Sequence, residues 1–442
     1  MRYERKVADK RYPDILAKLQ KLQTEAFWQI TADAKIGNRE LIMPHIRQYV
    51  DSHGLEIAGH TAYELCEKLY NDLQGYSILT APLTDDDVEG IHINAWDNVR
   101  LQFRDGDSQA IDGFHSPDHA VDILRRMLQE SHQIIDDAIP AAEGSIGANI
   151  RITALKSPVT DTEAGVCCYI RKLGKRVFTE REYIEGDFAD ARELRFLEIA
   201  LRRGVSILLA GRVNTGKTTF LSYLLSRMPN ELQIITIEGG AREMNLVKRD
   251  ESGRTVNNVM HLLTRESKDE GQNITQEKLV EKMLRLNPDI AAVAEMRNTE
   301  ALAAQEASNS GHVVISTTHA GSPRQAHKRV ANLCRKKYPI DFRAALEDAC
   351  DAFPLVVFIH CPEDGKRRIM AVTECVVDGG EITYRPIWKY EIEDNVVQPD
   401  GSMRIAGRHM QVGDVSKTLL EHMRLYGISK SEIGEIGRDE NA

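Results

Sequence analysis

The stretch GRVNTGKTT at 211–219 constrains this chain more than any other. It fits G-x-x-x-x-G-K-[ST], with Gly211, Gly216, Lys217 and Thr218 at the fixed positions. The apolar run SILLA (206–210) precedes it. TTFLSYLLSRM follows, with Phe220, Leu221, Leu224 and Leu225 at helical spacing. A buried strand, a glycine-rich turn and a helix in that order make a phosphate-binding loop. Its backbone N–H groups point inward at phosphate oxygens, and glycine allows the close approach. The helix starts at the phosphates, where unpaired N–H groups and the dipole favour an anion. Lys217 sets a positive charge on the β and γ phosphates, and Thr218 offers a hydroxyl to Mg²⁺. Asn214, Thr215 and Thr219 complete the loop. A purely structural turn has no use for a lysine aimed into it, so ATP and Mg²⁺ are the expected ligands.

The rest of the chain must accommodate that unit. At about 150 residues per domain, 442 residues suggest two or three domains. Short apolar runs recur after residue 196: SILLA, QIITI (233–237), IAAVA (290–294), VVIST (313–317) and LVVFI (355–359). Most are separated by stretches able to hold helices, which indicates α/β architecture with buried, largely parallel strands over 196–390. Residues 76–185 read as a small α+β domain, with strands at IHINAWDNVRLQF, ANIRITAL and VCCYIRKL and a helix at HAVDILRRMLQES. Residues 1–75 read as a charged helical extension broken by Pro44 and the DSHG at 51–54. Residues 186–195 read as a linker, with EGDFADARE (185–193) open also to being a helix entry, and 391–442 as a tail ending in a helix at VSKTLLEHMRLYG.

Charge and cysteine usage narrow the function classes. The formal net charge is −10, which argues against a whole-chain nucleic-acid footprint. The seven cysteines (66, 167, 168, 334, 350, 361 and 375) include no C-x-x-C pair, so reduced thiols in a cytoplasm are expected rather than a disulfide framework or a four-Cys zinc site. The charged N-terminal MRYERKVADKRYPD has no apolar stretch, so no signal peptide is expected. No uncharged apolar run approaches the ~20 residues of a membrane span, so any membrane role is expected to be peripheral.

Three polar positions follow at the ends of apolar strands, where ligands meet an α/β sheet. Glu238, after QIITI, and Glu243, five residues on, are both candidates to orient or deprotonate an attacking water. Glu295, after IAAVA, is placed to hold Mg²⁺ or its water; its structural alternative is a strand-end charge paired with Arg297. His319, after VVISTT, is placed to sense the γ-phosphate, although a lone histidine is more often structural.

In order along the chain, GRVNTGKTT, IEGGARE, TRESKDEGQNITQEKLVEKMLRLNPDIAAVAEMRNTEA and SNSGHVVISTTHAGSPRQAHKRV resemble the secretion ATPase superfamily. These are the motors of type II and type IV secretion and of type IV and Tad pili. The resemblance is closest to the CpaF-type branch and covers about 85–440. It implies a PAS-like N-terminal domain joined to a RecA-like P-loop domain, in a homo-oligomeric ring of six. It implies a cytoplasmic protein, peripheral at the inner membrane, that drives a membrane-embedded platform protein. Carried over by motif, Lys217 and Thr218 are the Walker A pair and Glu295 is the Walker B glutamate, with Thr218 and Glu295 toward the metal. His312 and His319 belong to the histidine box. Arg265, Arg151 and Arg171 match basic positions that reach nucleotide.

Two departures from the family pattern stand out. Its Asp box reads like I-E-D-x-x-E, whereas this chain has I-E-G-G-A-R-E. Glu243 matches the terminal glutamate when one extra residue is absorbed at Gly239–Gly240, and is favoured over Glu238 as the base. Ala294 replaces the glycine before Glu295. Weak or partner-regulated hydrolysis is one expectation; a nucleotide-gated scaffold without turnover is another. The basic stretch at 322–337 raises a third, a DNA translocase on the same fold, against which stands a solvated helix face.

Overall fold

The computed structural model describes residues 2–3, 9, 11–26, 39–104, 106–147, 149–173, 177–265, 270–399 and 401–437. The chain divides into two compact units between residues 174 and 175.

The first unit begins with helices Tyr12–Ala26, Arg39–Ser52 and Ala62–Leu73. They share a core that includes Tyr12, Leu16, Ile42, Ile46, Leu65 and Leu69. Pro44 was expected to break this region, but it lies inside Arg39–Ser52. There it removes one intrahelical hydrogen bond without ending the helix, because Ile42, Ile46 and Val50 keep one face buried. The part of the expected first helix beyond residue 26 lies outside the described residues.

A six-stranded antiparallel sheet follows: β1 (Val88–Ala95), β2 (Asn98–Phe103), β3 (Ser108–Ile111), β4 (Ala141–Ile146), β5 (Ile150–Lys156) and β6 (Val166–Lys172). Its order is β3-β2-β1-β6-β5-β4. Alternation puts Ile91, Ile93, Val99, Leu101, Ile152, Ala154 and Ile170 in one core with helix Pro117–Gln129, which contributes Ile123, Leu124 and Met127. Arg151 and Arg171 therefore lie on the other face. They are direct cross-strand partners.

The second unit is built on a nine-stranded sheet. Its strands are β7 (Ile207–Gly211), β8 (Ile234–Glu238), β9 (Val259–Leu263), β10 (Ile290–Val293), β11 (Val313–His319), β12 (Leu355–His360), β13 (Arg368–Asp378), β14 (Glu381–Val397) and β15 (Met403–Gln411). The order is β15-β14-β13-β12-β7-β11-β10-β8-β9. From β12 to β9 the neighbours are parallel, while β13, β14 and β15 form an antiparallel meander at one edge. Strands β7, β8 and β10 are buried along their whole length, as central parallel strands are. Helices cover both faces and form two cores. One holds Leu197, Leu209, Phe220 and Leu224; the other holds Leu208, Ile235, Val293 and Val330.

Two expected boundaries are corrected. Residues 186–195 are part of the second unit rather than a linker. Phe188 and Ala189 are buried in its core, Asp187 accepts from Arg368 Nε at 2.7 Å, and Asp190 and Glu193 form the capping box of helix Ala191–Arg202. The acids of this segment serve as caps and ion-pair partners. The expected tail at 391–442 holds strand structure before its helices: β14 runs to Val397, Gln398 N–H donates to the Ser402 carbonyl at 2.8 Å, and β15 returns. Helices Lys417–Leu425 and Lys430–Ile436 follow. No helix among the described residues is long and apolar enough to cross a membrane.

Candidate functional site

The phosphate loop joins the end of β7 to helix Lys217–Ser226. Asn214 (φ 62°) and Gly216 (φ 89°) take left-handed backbone angles, which turn the chain sharply into the helix. Gly211 is fixed by packing: a Cβ there would lie 2.3 Å from the Ile359 carbonyl oxygen on β12. Thr215 Oγ1 donates to the Arg212 carbonyl at 2.9 Å, and Arg367 Nε donates to the Asn214 carbonyl at 3.0 Å. Thr218 is half-buried in the helix's first turn, and Thr219 is exposed.

Lys217 is buried within this loop. Its Nζ donates to the carbonyls of Gly211 (3.1 Å) and Arg212 (2.7 Å) and lies 3.3 Å from His319 Nδ1. Burial pushes the amine down to about 8, against the pull of Glu295. A lysine folded onto its own loop carbonyls is positioned to exchange them for phosphate oxygens.

The parallel register brings the other side chains to the same end of the sheet. His319, on β11, pairs with Gly211 on β7. Its Nε2 lies 2.8 Å from Glu295 Oε1. Burial, then the Lys217 ammonium, hold the imidazole below its ordinary value. The ring sits between lysine and glutamate. Glu295 Oε2 is paired with Arg297 Nη2 at 2.5 Å, and its Oε1 is buried without a hydrogen bond of acceptable geometry. A carboxylate oxygen in that state, across His319 from Lys217, fits the donor set of a hard divalent cation and its waters. Thr317 Oγ1 holds the carbonyl of Ala294 at 2.7 Å, just before Glu295.

The two glutamates of the IEGGARE segment occupy different environments. Glu238 is fully buried at the end of β8. Its Oε2 accepts from the backbone N–H groups of Glu243 (2.5 Å) and Met244 (2.8 Å), and its Oε1 accepts from Thr236 Oγ1 at 3.0 Å. Glu243 is half-buried, and its charge helps to raise Arg297 above its ordinary value, behind Glu295 and against the opposing effect of burial. Glu243 thus belongs to the Glu295–Arg297 side of the site. Arg297 was noted only as a pairing partner of Glu295, and the pull of Glu243 on its charge was missed. The sequence carried one signal, its place two residues after Glu295.

The remaining candidates lie elsewhere. Arg265 follows β9, exposed, in a two-bond bridge with Ile274 (3.0 and 2.9 Å), and 266–269 after it lie outside the described residues. His312 immediately precedes β11, at the opposite end from His319. At about 3.3 Å per residue, those seven residues separate the two histidines by roughly 20 Å. Arg151 and Arg171 are on the first unit's sheet.

The sequence model of the family described as type II/IV secretion system protein matches residues 81–356, more than half of the chain. The chain belongs to this secretion-system family. A Mycobacterium tuberculosis relative named for conjugal transfer is 25% identical over 334 residues, covering 72% of this chain and 90% of its own. The type IV secretion system protein PtlH of Bordetella pertussis is 30% identical over 185 residues, 40% of this chain and 52% of PtlH. Among solved structures, the VirB11 ATPase of the Brucella suis type IV secretion system aligns over 70% of this chain and 97% of its own, with 19% identity and a TM-score of 0.34. The Legionella pneumophila ATPase DotB aligns over 80% of this chain and 84% of its own, with 13% identity and a TM-score of 0.43. As in the secretion-family motif order, the phosphate loop, Glu295 and His319 meet at the carboxyl ends of adjacent parallel strands.

Proposed function

We propose that this secretion-family chain is an ATP hydrolase that works as the motor of a pilus or of a type II or type IV secretion machine. The observation that carries the reading is the meeting of Lys217, Glu295 and His319 at one end of β7, β10 and β11. A strand-end acid and a buried lysine have no structural need of one another across a phosphate loop. Charge placement is the main requirement of phosphoryl transfer, and this arrangement supplies it.

ATP enters with its phosphates on the N-terminal turn of helix Lys217–Ser226. Lys217 exchanges the Gly211 and Arg212 carbonyls for β and γ oxygens. Thr218 and Glu295 would hold Mg²⁺, which offsets phosphate charge when bound. Glu243 orients the water, since both oxygens of Glu238 already accept hydrogen bonds. His319, touching both Lys217 and Glu295, passes the presence of the γ-phosphate to the helix that follows β11. Arg151, Arg171 and Arg265 are candidates to meet developing phosphate charge, from within one subunit or from a neighbour. A ring of six at the cytoplasmic face of the inner membrane, acting on a platform protein, is the assembly that completes such a site.

Mg²⁺-dependent ATP turnover, measured as protein concentration rises, tests this. Specific activity climbing with concentration, and abolished in Lys217→Ala, is expected. Turnover undiminished in Lys217→Ala would remove this site from the reaction. The nucleotide-gated scaffold keeps one observation in its favour: the family's Asp position is absent, and the nearest acid, Glu238, holds backbone. ATP binding without turnover at any concentration would select it. The DNA translocase is disfavoured because helix Pro323–Cys334 buries Ala326, Val330 and Leu333 and turns Arg324 and Lys328 to solvent as an ordinary amphipathic face.

A further inference from the structure

A second cluster of chemistry-bearing side chains lies where helices Pro323–Cys334 and Phe342–Ala352 pack near the β13–β14 edge. His327 is 0% exposed, Cys350 1% and Cys375 5%. One ligand atom from each, an imidazole nitrogen and two sulfurs, lie within 4.8 Å of one another. They come from three different elements, so no local spacing produces the triangle.

The histidine is oriented from behind. Its Nε2 lies 2.9 Å from the Phe353 carbonyl oxygen, which only accepts, so the ring proton sits on Nε2 and the lone pair on Nδ1. Carbonyl anchoring of the far nitrogen is the outer-shell arrangement of metal-binding histidines. On the near side Nδ1 is 3.2 Å from Tyr384 Oη. Tyr384 is the cross-strand partner of Cys375, and its Oη is 3.8 Å from Cys350 Sγ. Two thiols and a phenol are thus gathered around one good acceptor, since sulfur accepts weakly.

We propose that His327, Cys350 and Cys375 bind one thiophilic divalent cation, zinc by preference, with Tyr384 Oη or a water as the fourth ligand. Zinc takes Cys sulfur at about 2.3 Å and His nitrogen at about 2.0–2.1 Å, so a tetrahedron needs ligand atoms about 3.5–3.8 Å apart. The triangle reaches that with side-chain adjustments of about an ångström. Binding releases two thiol protons to solvent and leaves the imidazole neutral. The ion ties together helix Pro323–Cys334, helix Phe342–Ala352 and β13. The first of these helices begins four residues after His319, so the clamp steadies the element next to the phosphate sensor.

Metal analysis of the full chain, purified with reductant and no chelator, tests the site. About one zinc per chain is expected. Cobalt titration of chelator-treated protein should give a thiolate-to-cobalt charge-transfer band at one equivalent. Cys375→Ser and His327→Gln should weaken cobalt binding at least about tenfold. Cys334→Ser, a buried cysteine on the same helix as His327 but outside the triangle, should leave it unchanged. A wild-type chain with no bound metal and a featureless titration would overturn the proposal, whatever the variants do.

Discussion

The backbone N–H of Glu243 donates to the carboxylate of Glu238 at 2.5 Å. One acid of the IEGGARE segment therefore holds the other in place, with Met244 N–H and Thr236 Oγ1 completing its acceptor set. The two substitutions should separate cleanly. Glu238→Gln can keep its amide oxygen on the two backbone N–H groups but sets N–H₂ where Oε1 accepts from Thr236 Oγ1, and it loses the charge assistance of the carboxylate, at a cost of about 1–3 kcal/mol. Its melting temperature should fall by several degrees, with turnover falling because the loop moves. Glu243→Gln should melt like the parent, bind ATP normally and lose about 10²–10⁴ in turnover. Parental turnover in Glu243→Gln would return the base to Glu238.

Lys217 gives the nucleotide-binding step a pH signature. Its amine is held down to about 8 by burial, and phosphate contact restores the ordinary value. Below pH 8 the lysine is already charged, and binding takes up no proton there. Above pH 8 binding must protonate it, so ATP affinity should fall by up to about tenfold per pH unit until the ordinary lysine range is reached. Calorimetry in two buffers of different ionisation enthalpy at pH 9 should detect uptake approaching one proton. In Lys217→Ala that uptake should vanish, and turnover should fall by about 10²–10³ or more. A pH-independent Kd in the parent between 7.5 and 9.5 would mean that the amine is not desolvated.

Burial explains which parts of this fold were legible. SILLA, QIITI, IAAVA, VVIST and LVVFI all became strands of the parallel sheet because strands covered on both faces read as continuous apolar runs. The β13–β15 meander gave no such signal: β14 alternates exposed and half-buried residues from Glu381 to Pro386 and is exposed again beyond Tyr390. The linker reading failed at Asp187, Asp190 and Glu193, whose charges are spent on Arg368 and on a helix cap. In the site, Lys217 and Glu295 were readable because each follows its own strand. That the charge of Glu243 acts on Arg297 depends on β8 and β10 being neighbours, which only the register supplies. The His327–Cys350–Cys375 triangle was invisible for the same reason, its members standing 23 and 25 positions apart.

Arg151 and Arg171 face one another across β5 and β6. Like charges directly opposite in an antiparallel pair destabilise it by roughly 0.2–1 kcal/mol. In the proposed function both arginines are candidates to meet phosphate charge. Arg171→Gln should therefore leave the melting temperature of the chain unchanged or slightly raised while lowering turnover, with ATP affinity at the phosphate loop reduced far less. If Arg171→Gln lowers stability and leaves turnover intact, the arginine serves the sheet and not the nucleotide.

Acid should loosen the first unit before it affects the phosphate-loop unit. Asp72 is buried among Tyr12, whose hydroxyl donates to it at 2.6 Å, His115 at 2.8 Å, and His119 at 4.0 Å. Burial, against the pull of Asp72, takes His119 down to about 4. A base whose folded value is depressed contributes stability that is fully present above its unfolded value near 6.5. That contribution is lost as pH falls toward 4, with a limiting slope of about 1.4 kcal/mol per pH unit. Burial alone would raise Asp72, yet the hydrogen bond and charge of His115 hold it below its ordinary value, so its contribution fades lower in the acid range. Hydrogen exchange of helices Ala62–Leu73 and Pro117–Gln129 should lose protection between pH 6.5 and 4.5 in the parent. His119→Gln, compared with the parent at each pH, should lose less over the same interval. Equal loss in both proteins would place the acid sensitivity at another group.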